Sequence, residues 1–122
     1  MRCSWPVRNG VVHLELHTRD RAAASLFYGE LLRWSTERIV NRWGSYHRLT
    51  LGDRLDGGLT ECAVSQACWL PYVEVDDVIA TAERARGLGA SLLLDPREGP
   101  AGWRAVIATP AGGELALWEP RP

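Results

Sequence analysis

A chain of 122 residues with 46% apolar content is enough for one compact domain with a real core, spanning 1–122, and leaves no room for a second. The net charge of −1 comes from acids and bases scattered along the chain, so no basic stripe offers a phosphate-tracking surface and no nucleic-acid partner is expected. The longest apolar runs, such as Ala90 to Leu94, fall far short of the roughly 20 residues that span a bilayer, which argues against a membrane helix.

In chain order, Met1 to Gly10 carries Arg2 and Arg8 with no apolar run between them to act as a signal peptide, and the protein reads as cytoplasmic. From Val11 to His17 apolar and polar residues alternate, which predicts a half-buried strand with Val12, Leu14 and Leu16 on one side and His13, Glu15 and His17 on the other. A helix follows, capped by Thr18 or Asp20, with Ala23, Phe27, Leu31 and Trp34 recurring at helical steps as the stripe that should cover the sheet. Ser35 to Val40, Ser45 to Leu51 and Gly58 to Ala63 read as three strands separated by turn signals. The pattern then restarts. Cys68 to Val75 is a strand and Asp77 to Leu88 a helix with Val78, Ala82 and Ala85 inward and Gly89 as C-cap. Ala90 to Leu94, Trp103 to Ala108 and Glu114 to Trp118 are three more strands, with Pro96 to Gly102 and Pro110 to Gly113 as turns. Aligning Asp20 with Asp77 pairs strand with strand and helix with helix. The chain is therefore predicted to be α+β, a tandem of βαβββ modules at about 10–64 and 68–120.

Two residue types stand out. Cys3, Cys62 and Cys68 are odd in number and lack C-x-x-C spacing, which argues against a disulfide framework or a zinc knuckle and leaves buried free thiols as the expectation. Trp5, Trp34, Trp43, Trp69, Trp103 and Trp118 are an excess of large rigid aromatics, which fill cores and also suit flat ligands. Every basic residue is arginine, a bias that fits a GC-rich bacterial genome.

The stretch from His13 through Asp20 to Phe27-Tyr28-Gly29 and Trp34 resembles the opening of the glyoxalase/bleomycin-resistance/dioxygenase proteins, the vicinal oxygen chelate superfamily. Trp69 through Tyr72 to Asp76-Asp77, Arg86-Gly-Leu-Gly89, and Thr109-Pro110 through Gly112 and Glu114 to Trp118 extend the resemblance over nearly the whole chain. It implies paired βαβββ modules whose mixed sheet curls around a cavity, and commonly a homodimer. Metal-dependent members take ligands from the first and last strands of each module. His13 stands at the first such position, but its counterpart ahead of Asp77 is Leu70, the last strand offers Ala116, and the remaining position falls near Thr60 and Glu61. At most two of four ligands remain, so the expectation is a member with no metal or other cofactor, with Glu15 or Glu114 the only nearby substitutes.

With His13 pointing into the cavity, strand parity sends Val11, Glu15 and His17 the same way, and in the second half Leu70, Tyr72 and Glu74, then Glu114, Ala116 and Trp118. The opposite parity is uniformly apolar, as a helix-covered face requires. His13, Glu15, Tyr72 and Glu114 are the candidate catalytic residues: the imidazole as general base beside a carboxylate, the Tyr72 hydroxyl as donor to an enolate or phenolate. Tyr46, Arg48, Leu70, Glu74, Trp103 and Trp118 are the candidate ligand-binding residues, with Arg48 also suited to a solvated salt bridge. Trp43 and Trp69 are read with Trp103 as rim or dimer-seam residues, and His17 as solvent exposed at the strand's exit. Three functions fit: sequestration of a flat, partly apolar metabolite or antibiotic; a natural-product lyase, isomerase or cyclase; and, least supported, a metal-dependent isomerase or dioxygenase.

Overall fold

The computed structural model describes residues 9–53 and 55–122, so Cys3 and Trp5 lie outside the described residues. The elements run β1 (Val11–Thr18), α1 (Arg21–Leu32), β2 (Thr36–Asn41), β3 (Gly44–Thr50), β4 (Asp56–Glu61), β5 (Cys68–Glu74), α2 (Val78–Gly87), β6 (Ser91–Gly99), β7 (Gly102–Ala108) and β8 (Glu114–Glu119). The strands form one eight-stranded sheet in the order β2-β3-β4-β1-β5-β8-β7-β6. Within each module the first strand lies parallel to the last, β1 with β4 and β5 with β8, and all other neighbours are antiparallel, which makes the sheet mixed. The modules meet edge to edge through β1 and β5, so they pair within the chain, a point that strand order along the sequence leaves open.

The repeat reaches down to individual hydrogen bonds. Asp20 caps α1 by accepting from the Ala23 N–H at 2.9 Å, and Asp77 caps α2 by accepting from Ala80 at 3.0 Å. A glutamate at the end of each module's last strand adds a second anchor: Glu61 accepts from the Arg21 N–H and Glu119 from the Val78 N–H, both at 2.9 Å. These carboxylates take up N–H groups that a helix start leaves without partners and favour the positive end of the helix dipole.

The two sides of the sheet separate as strand parity predicts. Val75, Val78, Ala82, Ala105, Ile107 and Leu117 pack as one core under α2, and Leu16, Leu49 and Leu59 as a smaller one under α1. Helix α1 departs from its expected stripe. It half-buries Ala24 and Tyr28, backed by Trp34, while Phe27 and Leu31 are 58% and 62% exposed. The reason is aromatic stacking: Tyr28 lies over Trp34 at 5.2 Å between ring centres and meets Trp69 edge-on at 5.8 Å, which fixes the rotation of the helix.

Strand β6 also runs further than expected, through Pro96 to Gly99, leaving Pro100 and Ala101 as the turn. As the outermost strand, with register shifts on both sides of Leu94, it tolerates the missing N–H of Pro96. That extension brings the β6–β7 turn against the β2–β3 turn. Asn41 donates to the Pro100 carbonyl at 3.0 Å, and Trp43 lies between the guanidinium groups of Arg121 and Arg42, 3.5 and 4.4 Å from its ring centre. Arg121 is held in turn by Glu98 and the Gly99 carbonyl. The far ends of the sheet are thus tied together across the mouth of a cup. Among the described residues no helix is long and apolar enough to cross a membrane.

Candidate functional site

The curled sheet encloses a cup of about 730 Å³, within the range of small-molecule sites. His13 and Glu15 from β1 and Tyr72 from β5 stand on adjacent antiparallel strands at its centre, with His13 directly opposite Tyr72. Arg104 and Trp118 come from β7 and β8, and Tyr46 and Arg48 from β3. A register shift between Val11 and His13 inserts one extra β1 residue opposite β5. Val12 consequently lines the cup, and Val11, expected there, is half exposed.

Glu15 is the hub of the polar wall. Its Oε1 accepts from the Tyr72 hydroxyl at 2.9 Å and from His17 Nε2 at 2.7 Å, and Arg104 Nη1 donates to the Tyr72 oxygen at 3.1 Å. Burial pushes the Glu15 carboxyl up, but the two hydrogen bonds and the charges of His17 and Arg104 outweigh it and hold its pKa below the ordinary value, so it is a carboxylate at neutral pH. Burial, reinforced by the Glu15 charge, pushes the Tyr72 hydroxyl well above the usual phenol range. His17, expected in solvent, is drawn in because it shares a strand face with Glu15 two residues away.

His13 has a different environment. Burial lowers its pKa below the usual 6.5, more than the neighbouring charges of Glu15 and Asp56 raise it, so the ring is neutral at pH 7. It meets the Tyr72 ring edge-on at 4.9 Å, and no hydrogen-bond partner for its nitrogens occurs among the described residues. Gly58 on β4 makes the space: a Cβ there would lie 3.0 Å from His13 Nε2. Trp118 is fixed by donating its indole N–H to the Ala101 carbonyl at 2.8 Å, and it lines the cup beside the β6–β7 turn.

The cup gathers seven of the expected site residues: His13, Glu15, Tyr46, Arg48, Tyr72, Glu74 and Trp118. Three are placed elsewhere. Glu114 has the predicted parity but begins β8, paired with Ala108, where it is exposed beyond the cup. Leu70 is on the concave side but sealed into an apolar floor with Tyr72, Val106 and Ala116. Trp103 falls on the opposite parity and packs against the core under α2. The thiols correct another expectation: Cys68 is exposed and Cys62 half-buried. Arg48 reaches Asp56 at 3.4 Å, an exposed ion pair. Arg104 is the residue sequence reasoning missed; its alternation with Ala105 on β7 was the available signal.

The donor set does not fit the metal that this fold often carries. Leu70 and Ala116, at two of the positions where the resemblance implies ligands, are buried with Tyr72 and Val106, and Glu61, expected near the remaining one, accepts from the Arg21 N–H. Among the described residues no group of three or more His, Cys, Asp or Glu could hold an ion.

Comparison with known proteins places this architecture. No family model matches the chain. The Mycobacterium bovis and Mycobacterium tuberculosis proteins named "Putative glyoxylase CFP32" are each 25% identical over 114 residues, which is 87% of this chain and 44% of theirs; the chain spans less than half their length. Among solved structures, the methylmalonyl-CoA epimerase of Mycobacterium tuberculosis aligns over 100% of this chain and 94% of its own, with a TM-score of 0.65 and 18% identity. A Streptomyces coelicolor methylmalonyl-CoA epimerase in complex with 2-nitronate-propionyl-CoA aligns over 95% and 100%, with a TM-score of 0.67 and 18% identity. A protein described as the NAD-dependent benzaldehyde dehydrogenase of Legionella pneumophila aligns over 89% and 98%, at 0.61 and 14%. The fold is that of the vicinal oxygen chelate, or glyoxalase/bleomycin-resistance, superfamily.

Proposed function

We propose that the chain is a metal-independent small-molecule-binding protein of the glyoxalase/bleomycin-resistance type, whose cup sequesters or acts on a flat, partly apolar metabolite or antibiotic. The carrying observation is the cup itself: about 730 Å³, with the rings of Tyr46, Trp118 and His13 set among a few placed polar groups. The apolar residues at the expected ligand positions support the metal-independent part. The test is titration calorimetry of flat aromatic compounds against the chain and its Trp118→Ala variant, with elemental analysis of the same sample. Binding lost with Trp118 and unaffected by chelator is expected; stoichiometric zinc, nickel, manganese or iron overturns the metal-independent part.

A second reading, a lyase, isomerase or cyclase tailoring a natural product, is favoured by the neutral His13, which has no hydrogen-bond partner among the described residues. Such a ring takes a proton alpha to a carbonyl, the C–H electron pair moving onto the carbonyl oxygen, and returns the proton elsewhere on the same molecule. The Tyr72 hydroxyl already donates its hydrogen bond to Glu15, so Arg104 is the group to meet the developing oxyanion. Turnover falling about 10²-fold in His13→Ala is the expected signature. Turnover unchanged in that variant removes His13 from the chemistry.

A cytoplasmic homodimer is part of the proposal, as is the lack of nucleic-acid and membrane partners. Helices α1 and α2 sit at equivalent places, yet α2 turns Glu83, Arg84 and Arg86 outward beside a single large apolar residue, Ile79, while α1 exposes Leu26, Phe27 and Leu31, a face suited to a second copy. Sedimentation at micromolar concentration should show a dimer, and Phe27→Glu a monomer. A parent chain that is already monomeric ends this part.

A further inference from the structure

Strand β7 sets Arg104 between two cross-strand neighbours, Trp118 on β8 and Arg97 on β6. Directly opposed residues of an antiparallel pair project from the same side of a sheet, so Arg97, exposed on the edge strand, projects to the same side as Arg104 and Trp118, which line the cup. Like charges in that relation repel. Among the described residues neither arginine has a carboxylate oxygen within ion-pair distance; the four ion pairs present are His17–Glu15, Arg48–Asp56, Arg86–Glu83 and Arg121–Glu98. Arg104 gives one N–H to the Tyr72 oxygen, and a guanidinium carries five.

The carboxylates of the cup do not fill this place, Glu61 being turned to the Arg21 N–H. Glu15 is occupied by His17 and Tyr72 and touches Arg104 only through the Tyr72 oxygen. Asp56 faces Arg48 on the opposite wall. Glu74 pairs with Trp118 from the far side, two strands and about 10 Å from Arg104. Across β5, β8, β7 and β6 the concave face therefore reads carboxylate, indole, guanidinium, guanidinium.

We propose that the ligands of the cup carry an acidic group, a carboxylate or sulfonate, which docks on the remaining N–H groups of Arg104 with Arg97 behind it, while the flat body of the molecule lies against Trp118. This rests on the reading of the cup as a small-molecule site and adds the chemical class of what enters. Charge-assisted bonds from a planar guanidinium to a planar oxyanion are the stronger kind, and a half-enclosed wall screens them less than open water does.

The test compares two probes of the same shape, 2-naphthoate and 2-naphthamide, by titration calorimetry. The unaltered chain is expected to bind the acid about tenfold or more tightly than the amide. Arg104→Met should erase the preference, with a far-UV circular dichroism spectrum of the parent's shape showing that the variant folded; Arg104→Lys should keep part of it, and Arg97→Met should reduce it less than Arg104→Met does. Equal affinity for acid and amide in the unaltered chain, or a preference that survives Arg104→Met, overturns the proposal and leaves the cup intact as a binding site. Failure of both probes to bind at millimolar concentration, or binding unchanged by Trp118→Ala, sinks the reading of the cup and this proposal with it.

Discussion

The Tyr72 hydroxyl donates to Glu15 across 2.9 Å, and the two residues occupy equivalent places in the two modules, one repeat apart. The antiparallel meeting of β1 and β5 puts His13 opposite Tyr72 and Glu15 opposite Leu70. His13 and Glu15 thus correspond to Leu70 and Tyr72 in the second module, so a symmetric scaffold carries an asymmetric site. Tyr72→Phe leaves a half-buried carboxylate short of a donor, and its urea unfolding free energy at pH 7 should fall by about 1.5–3 kcal/mol. Glu15 has a depressed folded pKa, so its contribution is present above its unfolded value of 4.5 and lost as pH falls through the folded one. The gap between variant and parent should therefore narrow below pH 4.5. A gap independent of pH would place the loss in packing instead.

His13 also weakens the fold in acid, in an earlier window. Its folded pKa lies below 6.5, so under that pH the unfolded imidazole takes up a proton that the buried ring refuses, and stability falls from there toward the folded pKa. Between pH 7.5 and 5.5 the urea midpoint of the parent should drop more than that of His13→Asn. Equal drops would mean that the ring titrates normally in the folded state.

Adjacent glycines on β4 should respond differently to alanine. A Cβ on Gly57 would lie 2.6 Å from the Leu49 carbonyl and 2.6 Å from Leu51 Cγ, inside the strand pairing, and Gly57→Ala should cost about 1–3 kcal/mol in urea. A Cβ on Gly58 meets the His13 ring at 3.0 Å, where the ring can swing by a few tenths of an ångström. Gly58→Ala should keep most of the stability and lose ligand affinity, read by calorimetry on the same preparation. The reverse pattern would place His13 away from β4.

Gly102 joins the turn to the indole. It has φ of +130°, and a Cβ would come within 2.5 Å of the Glu119 carbonyl and 2.9 Å of the Trp118 indole nitrogen. Gly102→Ala should cost about 1–3 kcal/mol and shift Trp118 emission to the red as the indole loses its bond to Ala101. Unchanged emission and stability would mean that the turn does not hold the ring.

Much of the fold is legible in the residues because it is written in short-range regularities. Alternation from Val11 to His17 and from Cys68 to Glu74 set which side of each strand is greasy, Asp20 and Asp77 marked both helix starts, and their alignment exposed the repeat. The same parity brought His13, Glu15, Tyr72 and Trp118 to one cup. It could not say how far along a strand the cup extends, which is why Glu114 was expected in it; on β7 the expectation fell on Trp103, which faces the core under α2, so Arg104 beside it was passed over.

The sequence by itself determined the repeat and the polar and apolar faces, since each depends only on residue type and period. Tertiary structure alone decided that β1 pairs with β5 inside the chain, that Glu15 binds His17 and Tyr72, and that Arg97, Arg104 and Trp118 line up across three strands. Those relations depend on register and curl between segments far apart in the chain, where a shift of one residue turns every side chain to the other face, and no local pattern encodes them.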